Sequence, residues 1–333
     1  MSNRSPVADT SDKIGVIDLG SNTVLLLVVD VSGRAVIEEA RITRLGQGVF
    51  TRGQLHPEAI ERTRSAVAAL AERARQGGAR HLVAVGTEAL RCAEDGSGFL
   101  AALERERQVD VARLLTGEQE AHYAVAAHLS GVRPGGAVRP GVKRAAAVEA
   151  APLVVIDVGG GSTEVSLAEP GGALRAWSLP LGSVRLTERC IREDPITIAE
   201  LDALRAVVRD EAAALESFPQ ARVVAVAGTA TTLAALELSL DPYDAERVEG
   251  MTLSCSRLEA WIQRLAGLPL ERRRELPGLE PGRADVIVAG AVILAEVLAG
   301  LGAQRFAVSG RGVRWGVALE WLEARAVAPE RAV

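Results

Sequence analysis

The chain has 333 residues, 48% of them hydrophobic and 24% charged, with a formal net charge of −5. That length favours two domains of roughly 100–200 residues each; the apolar content excludes a disordered chain, and the mild negative charge excludes a general attraction to nucleic acid or to acidic membranes. Three cysteines, Cys92, Cys190 and Cys255, are widely spaced with no CxxC pair, which argues against a disulfide framework or a zinc site and suits a reducing compartment.

The opening MSNRSPVADTSD is polar and lacks an apolar signal core, so a cytoplasmic location is expected. Ile14 to Val31 reads as strand, turn, strand: an apolar run ending at Asp18, a Gly-Ser-Asn-Thr turn and a second apolar run. His56 to Gln76 is helical, with Pro57 near its start and Gly77-Gly78 at its end. "ARHLVAVGTEALRCAED" supplies a strand, a Gly86-Thr87 turn and a helix carrying Arg91; Thr116 and Gln119 then stand at capping-box spacing, so a helix begins there. Val132 to Pro152, rich in Gly, Pro, Ala and Arg, reads as a surface loop or hinge crossing.

Next, "PLVVIDVGGG" leads through a glycine turn into "TEVSLAE", again strand, turn, strand. Ala221 to Leu236 is a strand, a Gly-Thr turn and a helix, and Arg305 to Leu322 repeats that plan. Between them the apolar stretch Val286 to Gly302, interrupted by Glu296, reads as a buried helix and not a membrane span. None of the four histidines forms a metal spacing.

Aligning Asp18 with Asp157 superposes "VIDLGSNT" on "VIDVGGGS". The chain therefore carries one hairpin unit twice. Glycine turns can admit an anion because no Cβ keeps it from the backbone N–H groups. A Rossmann fingerprint or a P-loop places its glycines between a strand and a helix; here a strand follows, and there is no GxGxxG after a strand and no GK[ST]. A duplicated hairpin with an acidic residue before its turn resembles the phosphate loops of the actin and sugar-kinase superfamily. That resemblance implies an α/β fold of two actin-like, ribonuclease H-like domains with the active site in the cleft between them. The expected division is 1–130, completed by 305–333, and 131–304.

Eight motifs in order, DLGSNT (18–23), ITRLGQGV (42–49), GTEALR (86–91), TGEQEA (116–121), DVGGGSTE (157–164), LPLGSVRLTE (179–188), GTATTLAAL (228–236) and SGRGVRWGV (309–317), resemble the exopolyphosphatase/guanosine pentaphosphate phosphatase family. The resemblance implies a hydrolase that releases orthophosphate from polyphosphate or converts guanosine pentaphosphate to the tetraphosphate, assisted by Mg²⁺ or another divalent cation, and it implies a homodimer. It makes Glu120 the catalytic base, although the helix macrodipole alone would also favour a glutamate there. Asp157 and Glu164, with Asp18 across the cleft, are the implied metal ligands, Asp157 serving catalysis as well.

The expected phosphate cradle is Gly20, Ser21, Asn22 and Thr23 on one side and Gly159, Gly160, Gly161, Ser162 and Thr163 on the other. Arg91 matches the family's phosphate-binding arginine, with Gly228 and Thr229 as further backbone donors and Arg185, Arg283 and Arg311 extending a basic track. Where the family often carries Arg or His shortly after the first turn, this chain has Val24 and Leu25. A kinase of the same superfold and a non-catalytic nucleotide-binding regulator would use the same turns; a water-directed base at Glu120 separates hydrolysis from both.

Overall fold

The computed structural model describes residues 12–129 and 151–327. The loop expected over 132–152 and the domain boundary expected at 130/131 lie outside the described residues, apart from Ala151 and Pro152. Among the described residues, β1 (Lys13–Leu19), β2 (Thr23–Asp30), β3 (Ala35–Ile42), β4 (Ala79–Gly86) and β5 (Val111–Leu114) form one sheet in the order β3-β2-β1-β4-β5. β6 (Leu153–Val158), β7 (Thr163–Ala168), β8 (Leu174–Leu179), β9 (Arg222–Val226), β10 (Thr252–Ser254) and β11 (Arg305–Val308) form the second, in the order β10-β11-β9-β6-β7-β8. In each sheet an antiparallel meander continues into parallel strands. The second sheet thus repeats the first and adds β10 at its edge, as the duplicated hairpin implied.

The central strands read as near-continuous apolar runs because helices cover both faces of each sheet. Alternation along β1 assigns those faces: Ile17 and Leu19 join the cluster that includes Val67 and Leu70 of the Pro57–Gln76 helix, while Ile14 and Val16 pack with Val313, Val317 and Leu322. Asp18 lies on the second of these faces, at the strand's end.

Two helices cross between the sheets. The Gly117–Leu129 helix follows β5, yet its Ala124, Val125 and Leu129 pack on Leu153, Val155, Val224 and Val226 of the second sheet. The Val313–Val327 helix follows β11, yet it packs on β1 and β2. These two helices also lie against each other. Of residues 305–333, expected with the first unit, Arg305–Val308 is a strand of the second sheet and Val313–Val327 covers the first; the segment 117–129 belongs by packing to the second.

The apolar stretch from Val286 forms the buried Ile287–Gly300 helix, and Glu296 within it accepts hydrogen bonds from Arg205 (2.6 Å) and Arg209 (2.7 Å). Among the described residues no helix is long and apolar enough to cross a membrane.

Candidate active site

The two hairpin turns face each other, and strand register places the acids. In the second hairpin Asp157 pairs directly with Glu164, so both side chains leave the same face of the sheet. In the first hairpin Asp18 pairs with Leu25. The pseudo-repeat is therefore broken at one position, leaving two acids on one wall and one on the other.

Each turn is braced from behind by a motif that had no assigned task. The Asn22 carbonyl accepts from the Thr43 and Arg44 N–H groups (3.1 and 3.0 Å), and the Ser21 carbonyl accepts from Gly46 (2.7 Å). In the second turn the Gly159 carbonyl accepts from Ser183 (2.9 Å) and the Gly160 carbonyl from Val184 and Arg185 (2.9 and 3.1 Å). ITRLGQGV and LPLGSVRLTE are thus equivalent buttresses that fix the turns' carbonyls. The turns touch: a Cβ on Gly160 would stand 2.8 Å from Ser21 Cβ.

Glu120 enters from the Gly117–Leu129 helix. The expected capping box starts that helix, with the Thr116 N–H donating to Gln119 Oε1 (2.9 Å) and the Gln119 N–H to the Thr116 hydroxyl (3.2 Å). Glu118 faces solvent, whereas Glu120 is only 4% exposed and faces the cleft. Arg91 donates to both Glu120 and Glu88 and to the Leu115 carbonyl.

Four buried carboxylates therefore converge. Burial raises Asp18 to about 6, with Arg314 opposing. Burial and Asp18 raise Asp157 to about 7, and burial and Asp157 raise Glu164 to about 8 against hydrogen bonds from Ser162 and Ser178. Glu120 is pushed well above the usual carboxylate range by burial and by Glu164, with Arg91 holding it down. Four acids share two nearby guanidiniums, Arg91 and Arg314, so the cluster is short of positive charge.

One cleft gathers Asp18, Gly20, Ser21, Asn22, Thr23, Glu120, Asp157, Gly159, Gly160, Gly161, Ser162, Glu164, Gly228 and Thr229. Two expected residues are placed otherwise. Thr163 is fully buried and its hydroxyl donates to the Leu181 carbonyl (2.5 Å), tying the turn to its buttress. Arg91 stands behind Glu120, its guanidinium taken up by carboxylates. The Gly20 and Gly159 N–H groups close their own turns onto Thr23 (3.1 Å) and Ser162 (3.0 Å), so these two shape the loops and do not donate to an anion. The Thr229 hydroxyl bonds the Val158 carbonyl (3.4 Å).

The model of the Ppx/GppA phosphatase family matches residues 26–325. The chain belongs to the Ppx/GppA phosphatase family. It is 36% identical to Exopolyphosphatase 2 of Mycobacterium tuberculosis over 92% of this chain and 98% of that protein. Exopolyphosphatase 1 of the same species is 29% identical over 94% of this chain and 89% of its own length. The crystal structure of the Aquifex aeolicus Ppx/GppA member superposes with a TM-score of 0.75 at 30% identity, covering 95% of this chain and 99% of that one. An exopolyphosphatase structure from Cytophaga hutchinsonii, 22% identical, shares the fold with a TM-score of 0.80, covering 94% and 98% of the two chains. Two actin-like α/β units with a cleft between them are the architecture of this family member.

A divalent cation fits the residues present. Asp18 Oδ1 is buried with no hydrogen-bond partner, as are both polar atoms of the Asn22 amide, and Asp157 and Glu164 present paired carboxylates. Among the described residues no three acidic, histidine or cysteine side chains form a ready cage. The paired carboxylates suit a hard cation that keeps waters and completes its shell with substrate oxygens.

Sequence reading missed Arg314 and settled on its neighbour Arg311. Arg311 lies over the Trp315 ring (4.8 Å) and does not line the cleft; Arg314 does, while pairing with Glu38 (2.8 Å). A signal was present, because an arginine in the first turn of a helix opposes the macrodipole unless an acid faces it, and Asp18 and Asp157 do. Arg283, expected in the basic track, is half-buried in the cleft wall and donates to the Thr23 hydroxyl (3.2 Å).

Proposed function

We propose that this family member is an exopolyphosphatase that removes the terminal phosphoryl group of polyphosphate by attack of a water directed by Glu120. The observation that carries the reading is a buried glutamate, held by Arg91 at a helix start, facing paired glycine turns that carry three further buried acids. The free N–H groups past Gly20 and Gly159 orient the terminal phosphate. Glu120 accepts the water's proton as the new P–O bond forms and the bridging P–O bond breaks, with its raised pKa making it a stronger base once ionised. Asp157 and Glu164, with Asp18 opposite, would hold a divalent cation such as Mg²⁺, whose hardness matches their oxygen donors. When bound, the cation supplies charge neutralisation on phosphate oxygens. Arg314 limits the repulsion between Asp18 and Asp157, and the Gly117–Leu129 helix that bears Glu120 packs on the second sheet, which also carries Asp157 and Glu164.

The family also contains guanosine pentaphosphate phosphatases by name, and the same chemistry serves that substrate. Purified protein with Mg²⁺ and polyphosphate, without a phosphoryl acceptor, is expected to release orthophosphate; a parallel assay with guanosine pentaphosphate reports on the second substrate. Release from neither would favour a kinase or a binding protein. Release only from the nucleotide would replace the polyphosphate reading while keeping the mechanism.

A further inference from the structure

Glu88 stands at the cleft and belongs to none of the tasks above. It begins the short Glu88–Cys92 helix after β4, and its side chain is 15% exposed. Its carboxylate accepts from Arg91 Nη2 (2.6 Å) and from Arg185 Nη2 (2.6 Å), with the Cys92 thiol at 3.3 Å. Arg91 belongs to the first sheet's side and Arg185 to the helix that buttresses the second turn, so Glu88 bridges the two walls. Arg185 is held in place from its other side by the Phe50 ring, 4.2 Å from its guanidinium carbon.

Position adds the decisive point. A Cβ on Gly161 would meet Glu88 Cγ at 2.8 Å, so the Glu88 side chain already lies against the glycine turn that offers its backbone to an anion. The Glu88 carboxylate thus holds two guanidiniums while its Cγ packs beside the glycine turn, so a phosphate bound to the same two arginines would sit next to that turn.

We propose that Glu88 is an internal counter-anion that a phosphate of the incoming chain displaces. The inference rests on the polyphosphate reading of the cleft and adds a residue that sets affinity. Without substrate, Glu88 keeps Arg91 and Arg185 paired and the two walls together. With substrate, a phosphate oxygen takes its place on the arginines, Glu88 turns outward, and part of the binding energy is used to release it. Affinity is thereby held down, which keeps single phosphate ions from occupying the site as tightly as a chain that contacts both turns.

The test uses inorganic tripolyphosphate as probe, in titration calorimetry without added metal. Glu88→Gln keeps the shape and removes the charge, and it is expected to bind tripolyphosphate roughly tenfold more tightly than wild type, about 1.4 kcal/mol; Glu88→Ala is expected to change in the same direction. Arg185→Ala should weaken binding more in the Glu88→Gln background than in wild type, where Arg185 is already occupied. In steady-state hydrolysis the KM of Glu88→Gln for polyphosphate should fall. A residue that merely held Arg91 in place would give the opposite sign, weaker binding and higher KM, and that result or unchanged binding overturns the proposal. Phosphate release by wild type tests the hydrolase reading separately: an inactive wild type with the binding shift intact sinks that reading and leaves the role of Glu88 standing.

Discussion

Asp157→Asn should stabilise the metal-free protein while disabling it. Asp157 is buried, and desolvation together with Asp18 raises it from the ordinary 3.8 to about 7. The sign follows from linkage: between those values the folded chain binds a proton that the unfolded chain has lost, so stability is highest below pH 4 and falls as pH rises to 7. Moving a carboxylate that far costs roughly 4 kcal/mol of folding free energy above pH 7. Asparagine keeps the size and removes the charge, so in EDTA at pH 8 the variant is expected to be more stable by about 2–4 kcal/mol, read as a rise of several degrees in Tm. At pH 4, where wild-type Asp157 is protonated in the fold, the gain should vanish. Adding Mg²⁺ should raise the wild-type Tm and barely move the variant's. Loss of stability in Asp157→Asn at pH 8, or a gain of equal size at pH 4 and 8, would refute the picture of an acid cluster awaiting a cation.

His128 supplies the opposite pH dependence. It is half-buried on the Gly117–Leu129 helix, with its Nε2–H donating to the Arg311 carbonyl at 3.0 Å, and desolvation lowers it from 6.5 to about 4. The unfolded chain therefore takes up a proton that the fold refuses, and stability is lost as pH falls from 6.5 to 4, by about 3 kcal/mol in total. Comparing the pH dependence of unfolding for wild type and His128→Gln should show that difference confined to the acid limb. Gly160→Ala would set a methyl 2.8 Å from Ser21 Cβ and 3.2 Å from the Asn22 nitrogen, forcing the two turns apart; kcat/KM should drop by more than about tenfold for a stability cost of about 1–3 kcal/mol, and an active variant would mean that the turns need not touch.

The sequence carried the architecture because its strongest signals are local. Long apolar runs ending in Asp and glycine mark β1, β2, β6 and β7, and the capping box at Thr116 and Gln119 announced the helix that holds Glu120. Strands β3, β5, β8 and β10 give no such signal: they are the edge strands of the two sheets, with charged or half-exposed residues such as Glu38, Glu39 and Arg175, and their pattern says little without the neighbour they pair with. The acids of the site were named through the family resemblance, each standing at a strand end or helix start. Arg91, Arg185 and Arg283 were named but their partners were not, and Arg314 was missed, since those partners lie far along the chain: Arg314 faces Asp18, Arg283 reaches Thr23 and Arg185 reaches Glu88. The return of the C-terminal helix to the first sheet was implied by the family resemblance, but the crossing of the Gly117–Leu129 helix was hidden, because covalent order assigns it to the sheet it follows and packing assigns it to the other.

The central claim is that Glu120 directs the attacking water. Single-turnover phosphate release from polyphosphate by wild type and Glu120→Gln, with saturating substrate and Mg²⁺, tests it directly. The change is isosteric at a residue already held by Arg91, so binding should survive while the rate falls by about 10²–10⁴-fold, the range for loss of a general base. A Glu120→Gln variant that releases orthophosphate at the wild-type rate would contradict the account.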